Sequence, residues 1–236
     1  MSDILDVLRT EKKYPISAYE AERLRLHLEP VLTADSHSID GRGYCVRSLY
    51  FDSFDNTDFF EKQAGIEYRK KIRLRIYGSS DSIIKLETKQ KQGNLQRKLS
   101  IPVSRAEAEA LIRSDYDFLL LRGEPLAHEF YALMKSQTYL PRCVVQYDRY
   151  AFTAPANDTR ITFDSNLCGS ESDFDIFNEQ LPLFPVPPLC TTTLEVKYSG
   201  FLLSYVKDAL NIGQLTENAS SKYCAVRTYS LGGHTL

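Results

Sequence analysis

Apolar residues recur at helical spacing in a few stretches of this chain and at a spacing of two in many. Ser17-Ala18-Tyr19-Glu20 is a capping box, and Ala21, Leu24 and Leu28 then fall on one helix face. Ser104 and Glu107 repeat the device before a short helix running to about Arg113. Pro125 suits the first turn of a third helix, to about Gln137, because the N–H it lacks would have no intrahelical acceptor there. Residues 201–212 read as a fourth helix, with Gly213 as the residue that ends it. The remaining pattern is strand, over 9–15, 44–52, 66–77, 83–91, 95–103, 142–152, 159–164 and 191–198. Gly93-Asn94 marks a hairpin turn, and Pro102 lies near a strand end, where proline is tolerated. The proline-rich stretch 181–188 reads as a loop before the last strand. Eight strands with short helices predict an α+β fold, an eight-stranded antiparallel β-barrel with helices packed outside. It is expected to be one domain over residues 1–236.

Length and composition narrow the class. A chain of 236 residues, 43% hydrophobic and 25% charged, can bury a core without disulfide staples. No apolar run approaches the roughly 18 residues of a membrane span. The start, Met1 to Asp6, has acids where a signal peptide carries cations, so a cytoplasmic protein is expected. Five cysteines, none in a C-x-x-C pair, fit free thiols in a reducing compartment better than disulfides or zinc. His27, His37, His128 and His234 fall on helices or loops and are expected at the surface.

The net charge of −2 hides a segregation. Between Arg69 and Lys98 there are ten Lys or Arg and two acids; between Asp164 and Pro188 there are five acids and no Lys or Arg. Such an arrangement points to a local anion site. Alternate strand residues share a face, so Arg69, Lys71, Arg73 and Arg75 line one wall, and Ile72, Leu74 and Ile76 turn the other way. The same parity groups Lys85, Glu87, Lys89 and Lys91; Lys98 and Ser100; Glu11 and Lys13; Tyr147 and Arg149; Arg160, Thr162 and Asp164; and Glu195 and Lys197. Four like charges roughly 7 Å apart repel, and a solvated sheet face is the ordinary reading of one such strand. Repetition in most strands instead predicts one polar lumen, whose cations need counter-charges from a polyanion and a few carboxylates, with a divalent metal bound among them.

Six segments in order carry a family likeness. They are Glu11-Lys12-Lys13-Tyr14, Val46 to Asp52, Arg73 to Gly78, Leu86-Glu87-Thr88-Lys89, Leu194 to Tyr198 and Ser221-Lys222-Tyr223. Together they resemble the VTC (vacuolar transporter chaperone) domain, a branch of the triphosphate tunnel metalloenzymes related to the CYTH group. The resemblance runs from about Arg9 to Tyr229. It implies a tunnel that makes polyphosphate from ATP with Mn²⁺ or Mg²⁺. It also implies that Lys13, Arg73, Arg75, Lys89 and Lys98 hold the triphosphate, and that Tyr147, Arg149 and Arg160 form a further clamp. Glu195 resembles the metal-binding glutamate, and Ser221 and Lys222 resemble phosphate contacts near the tunnel end. Arg73, Arg75, Lys89 and Glu195 are the catalytic candidates, and Glu11 and Glu87 are further metal candidates. Parity alone adds Arg47, Arg69, Lys71 and Lys197 to the lumen.

One departure matters. Hydrolytic relatives carry Glu-x-Glu-x-Lys on the first strand, and here Arg9 stands where the first Glu would be. The resemblance therefore favours a polyphosphate polymerase over a triphosphatase or a cyclase, with reduced metal-binding capacity. A triphosphatase or other nucleotide-processing tunnel enzyme, and a non-catalytic polyphosphate binder, remain the alternatives. No covalent nucleophile stands out. A nucleic-acid partner is not expected, because only Tyr77 joins the arginine face as a stacking aromatic. Eukaryotic VTC subunits sit beside membrane helices and a regulatory domain, neither of which is seen here. The enzyme is expected either to act in solution or to use a separate membrane-protein partner.

Overall fold

In the computed structural model the described residues are 9–38, 43–92, 95–188, 191–218 and 220–231. The chain runs β1 (Arg9–Ser17), α1 (Ala18–Leu28), β2 (Thr33–Ala34), β3 (Tyr44–Asp52), α2 (Thr57–Gln63), β4 (Tyr68–Tyr77), β5 (Ser80–Gln92) and β6 (Leu95–Pro102). It continues through α3 (Arg105–Ile112), α4 (Phe118–Leu121), α5 (Pro125–Ser136), β7 (Leu140–Ala154), β8 (Thr159–Ser170), β9 (Phe184–Pro185), β10 (Thr191–Ser199), α6 (Ser204–Leu210) and α7 (Lys222–Leu231). Eight long strands pair antiparallel in the order β1-β10-β8-β7-β3-β4-β5-β6, with β2 and β9 as two-residue additions. The path is open: among the described residues no backbone pairing joins β6 to β1. The sheet nevertheless curls into a tunnel, and Lys89 of β5 reaches Glu11 of β1 at 2.8 Å.

Two apolar clusters clothe the outside. Ile72, Leu74 and Ile76 of β4 and Leu86 of β5 pack with Leu111, Leu119, Phe130 and Met134 of α3, α4 and α5. On the other half, Tyr14, Ile161, Phe163, Leu194 and Val196 pack under Leu24 and Leu28 of α1 and Val206 and Leu210 of α6. Both capping boxes form: Ser17 accepts from the Glu20 N–H and Ser104 from the Glu107 N–H. Pro125 opens α5 as the sequence predicts. The fourth helix is shorter than 201–212, and Asn211, at φ 48°, rather than Gly213 takes the left-handed position that ends it. The expected Gly93-Asn94 turn lies outside the described residues, but β5 and β6 pair up to Gln92 opposite Leu95.

A third cluster lies inside the curl. Val46 and Tyr50 of β3 and Val145 and Tyr147 of β7 meet Tyr223, Cys224 and Val226 of α7. Helix α7 thus fills part of the lumen. Tyr223 stacks on Tyr50 at 5.1 Å between ring centroids and donates its hydroxyl to Asp52. Asp52 also accepts the Asp58 and Phe59 N–H groups at the start of α2, each at 2.9 Å, so one buried carboxylate ties the two helices together. Neither α2 nor α7 stood out in the sequence pattern. β8 runs six residues past its expected end, and a bulge near Gln146–Asp148 accommodates the extension.

Packing of α7 on β8 leaves no room at Gly169. A Cβ there would lie 2.6 Å from both methyls of Val226 and 2.8 Å from the Val144 carbonyl oxygen. Gly169→Ala is therefore expected to destabilise the fold by about 1–3 kcal/mol, the usual range for overpacking. Urea unfolding measures it; an unchanged midpoint and slope would mean that α7 does not seat against β8 in solution.

Candidate active site

The walls of the curl enclose a cavity of about 460 Å³. Fourteen Lys or Arg residues line it against three Glu. β4 supplies Arg69, Lys71, Arg73 and Arg75 because their apolar neighbours are pulled outward into the helical core. Lys89, Lys91 and Lys98 come from β5 and β6, Glu11 and Lys13 from β1, and Glu195 and Lys197 from β10.

Three carboxylate centres organise the cations. Glu87, opposite Arg73 in register, lies 2.8 Å from Arg73 Nε and 3.7 Å from Arg75 Nε, and also pairs with Lys98. Burial pushes the Glu87 carboxyl up, but Arg73, Arg75 and Lys98 outweigh it and hold the group far below the usual carboxylate range. Glu87 is buried beneath these cations and does not line the cavity. In this arrangement Glu87, expected as a metal candidate, is the counter-charge that lets Arg73, Arg75 and Lys98 stand together.

Glu11 and Glu195 form the second centre. Glu11 lies 3.1 Å from Lys13, 2.8 Å from Lys89 and 3.7 Å from Lys197. Glu195 lies 3.6 Å from Lys13, 3.3 Å from Lys197 and 3.7 Å from Arg149. Burial raises the Glu195 carboxyl, but Lys197 and Lys13 oppose it more strongly and hold the group well below its ordinary value. Glu11 is lowered too: burial and Glu195 push it up, and Lys197, Lys89 and Lys13 win.

Asp164 anchors the third centre, accepting two hydrogen bonds from Arg149 at 2.7 and 2.8 Å and pairing with Lys222 at 2.7 Å. The Tyr147 ring lies under both cations, 5.2 Å from the Arg149 guanidinium and 4.7 Å from Lys222 Nζ. Ser221 does two jobs. Its hydroxyl caps α7 by accepting from the Cys224 N–H at 3.3 Å, and it also accepts from Lys71 Nζ.

Two expected site residues lie elsewhere. Arg47 is on the outer face, where its guanidinium donates to Gln146 Oε1 and to the carbonyls of Ile176 and Asn178. It pins the 174–183 loop to the sheet. Parity could not place it, because β3 is buried on both faces, by α5 and its neighbours outside and α7 inside. Arg160 shares the inner face but is held outside the cavity by Asp35 and the Tyr44 hydroxyl. In the other direction, sequence reasoning missed Lys62, Lys91, Tyr50 and Asp164. Asp164 and Lys91 sat in the alternation already noted; Lys62 lies on α2, and Tyr50 on the doubly buried β3, so neither gave a signal.

A divalent cation is what this fold implies, and the donor set fits one. Glu11 and Glu195 offer two ionised carboxylates close enough to share Lys13 and Lys197. Among the described residues no group of three or more His, Cys, Asp or Glu forms a metal cage. Two carboxylates with phosphate oxygens and water is the arrangement Mg²⁺ favours, so an ion held here would share its shell with substrate.

An antiparallel curl with opposed cationic walls around paired carboxylates defines a triphosphate-tunnel fold. Solved structures bear this out. A Hippeastrum protein described as an adenylyl cyclase with a dominant triphosphatase activity aligns at TM-score 0.55 and 12% identity, over 93% of this chain and 95% of that one. A Bacillus halodurans protein assigned as an adenylate cyclase aligns at TM-score 0.50 and 13% identity, over 91% and 94%. No curated protein sequence matches the chain significantly. The VTC domain model matches residues 8–230, and the chain belongs to that family. No helix among the described residues is long and apolar enough to cross a membrane.

Lys89 gives the site a pH dependence. Its side chain is 39% exposed to the channel, yet the enclosing wall, Lys13 and Lys197 push its pKa down to about 8 against the pull of Glu11 and Glu195. Unfolded, it titrates near 10.5, so the folded chain binds fewer protons between about pH 8 and 10.5, and this group's contribution to stability rises across that window. Phosphate needs the charged form. Tripolyphosphate affinity is therefore expected to fall as pH rises through 8, by about tenfold at pH 9. Lys89→Arg stays charged and should flatten the fall; calorimetric titration of both proteins checks this, and parallel profiles would remove Lys89 from the site.

Proposed function

We propose that the protein is a metal-dependent polyphosphate polymerase that moves the γ-phosphate of ATP onto a growing polyphosphate chain. One observation carries this reading. Glu11 and Glu195, the two carboxylates set among the ring lysines, are held ionised by them and have lowered pKa values, so they are poor proton acceptors. Water attacking a phosphate must lose a proton, and a nearby base normally takes it. The terminal oxygen of a phosphate chain is already an anion at neutral pH and needs no base. A site rich in cations and poor in bases suits a phosphate acceptor.

In this reading Arg73, Arg75, Lys89 and Lys98 hold the γ- and β-phosphates, the arginines as planar two-point donors and the lysines as point charges. Lys13, Lys71, Arg149, Lys197, Ser221 and Lys222 position the flanking phosphates. The acceptor's terminal oxygen forms a bond to the γ-phosphorus, the bond to the β–γ bridging oxygen breaks, and ADP leaves with that electron pair. Most of the acceleration comes from positioning and from cations preorganised around the equatorial oxygens. Mg²⁺ or Mn²⁺, held by Glu11, Glu195 and substrate oxygens, would neutralise further charge there. Arg9 in place of a third carboxylate leaves the chain with a two-carboxylate donor set.

Hydrolysis is the second reading, favoured by the triphosphatase activity of the Hippeastrum neighbour on the same fold. Incubation with ATP and Mn²⁺, followed by sizing of the phosphate products, separates the two. Long chains with ADP are expected; orthophosphate alone would overturn the polymerase reading in favour of hydrolysis. Arg75→Ala and Glu195→Gln should each cut turnover by at least about tenfold, since a charge-assisted contact is worth roughly 1.5–3 kcal/mol. Wild-type rates in both, with folded protein, would overturn the site assignment.

A further inference from the structure

The cations of this cavity fall into two sets. Those of the inner ring each have a carboxylate: Lys13, Lys89 and Lys197 have Glu11, Arg73 and Lys98 have Glu87, and Arg149 and Lys222 have Asp164. At one mouth, Lys62 of α2, Arg69 and Lys71 of β4 and Lys91 of β5 make no ion pair with a carboxylate among the described residues. Arg69 donates to the Ile66 carbonyl and Lys71 to Ser221, both neutral acceptors. The lip cations also repel one another. Lys62 is pushed down first by burial and then by Arg69, with Lys13 and Lys91 adding to it. Lys71 is pushed down by burial, with Lys13 and Lys62 adding to it.

Mutually repelling, partly buried cations are a standing cost unless an anion joins them. The space for one is present. A second cavity of about 260 Å³ continues from this mouth along α7, and Lys62, Asn218, Ser220 and Ser221 line both spaces. Its remaining wall, with Gln63, Cys224 and Thr228, carries no acid.

We infer that this lip is a separate polyphosphate subsite: the part of a phosphate chain lying beyond the triphosphate ring passes over Lys62, Arg69, Lys71 and Lys91 and runs along α7. The inference rests on the polymerase reading for its ligand but not for its test. It assigns the tunnel a direction, with the long product at the Lys62 mouth. It also assigns Lys62 and Lys91 the task of distinguishing long chains from short ones. On this assignment a triphosphate seated in the ring leaves both lysines unfilled.

Equilibrium binding tests this without turnover, using tripolyphosphate and a polyphosphate some tens of units long. The wild type is expected to bind the long chain more tightly per molecule, with a steeper dependence on salt. Lys62→Gln and Lys91→Gln should each weaken the long chain by about tenfold, the value of one charge-assisted contact, and change tripolyphosphate affinity less than about twofold. Unfolding midpoints confirm that the variants fold, and Lys62→Arg should restore long-chain binding. Equal loss for both ligands would make the lip part of the triphosphate ring and overturn the inference. So would long-chain binding that neither variant affects. A wild type that binds long chains through Lys62 but makes none from ATP would overturn the polymerase reading and leave the subsite standing.

Discussion

The structure depends on keeping many cations face to face inside a sheet that no backbone pairing among the described residues closes. Neighbouring lumen charges about 7 Å apart repel by roughly 2 kcal/mol per pair at an effective dielectric constant near 20. A carboxylate within about 4 Å of a cation gains about 4 kcal/mol on the same scale. One well-placed carboxylate touching two or three cations therefore outweighs their repulsion, and few are needed. Glu87, Glu11, Glu195 and Asp164 are placed in this way. The Lys89–Glu11 pair has a second effect: it joins β5 to β1 across the gap that backbone pairing leaves open.

The same balance explains which residues the sequence revealed. Alternation assigns a residue to the lumen only where one face of its strand is plainly apolar. On β4, Ile72, Leu74 and Ile76 are buried outside, and the arginines between them could turn only inward. On β3 both faces are apolar, so Arg47 carried no directional signal, and the structure turns it outward to bind carbonyls. Glu87 was legible as a residue of the inner face, but its pairing with three cations was not. Parity places a carboxylate on a face, but only geometry shows whether cations have already claimed it.

Helix α7 was illegible for a related reason. A helix on the outside of a sheet shows an apolar stripe against a polar one. α7 lies inside a polar lumen, so its buried side includes Arg227 beside Tyr223, Cys224 and Val226. Its start, at Ser221 and Lys222, faces the cavity while the adjoining Tyr223 and Val226 pack with Tyr50 and Val145. An element that serves both core and site in consecutive residues leaves no clean period to read. The family resemblance pointed to Ser221 and Lys222, which line the cavity, because it rests on residue identity, not on pattern.

The aromatic residues of the lumen argue against a base-stacking surface. Tyr50 and Tyr147 are 8% and 4% exposed, and their rings face Tyr223, Arg149 and Lys222 rather than open channel. A surface that stacks bases must leave ring faces free. Here the rings are spent on holding cations in place, and most of the groups that line the cavity are ammonium and guanidinium donors, which suit phosphate oxygens. The proposed recognition of phosphate number and spacing would then be divided between the charge-matched ring and the unmatched lip.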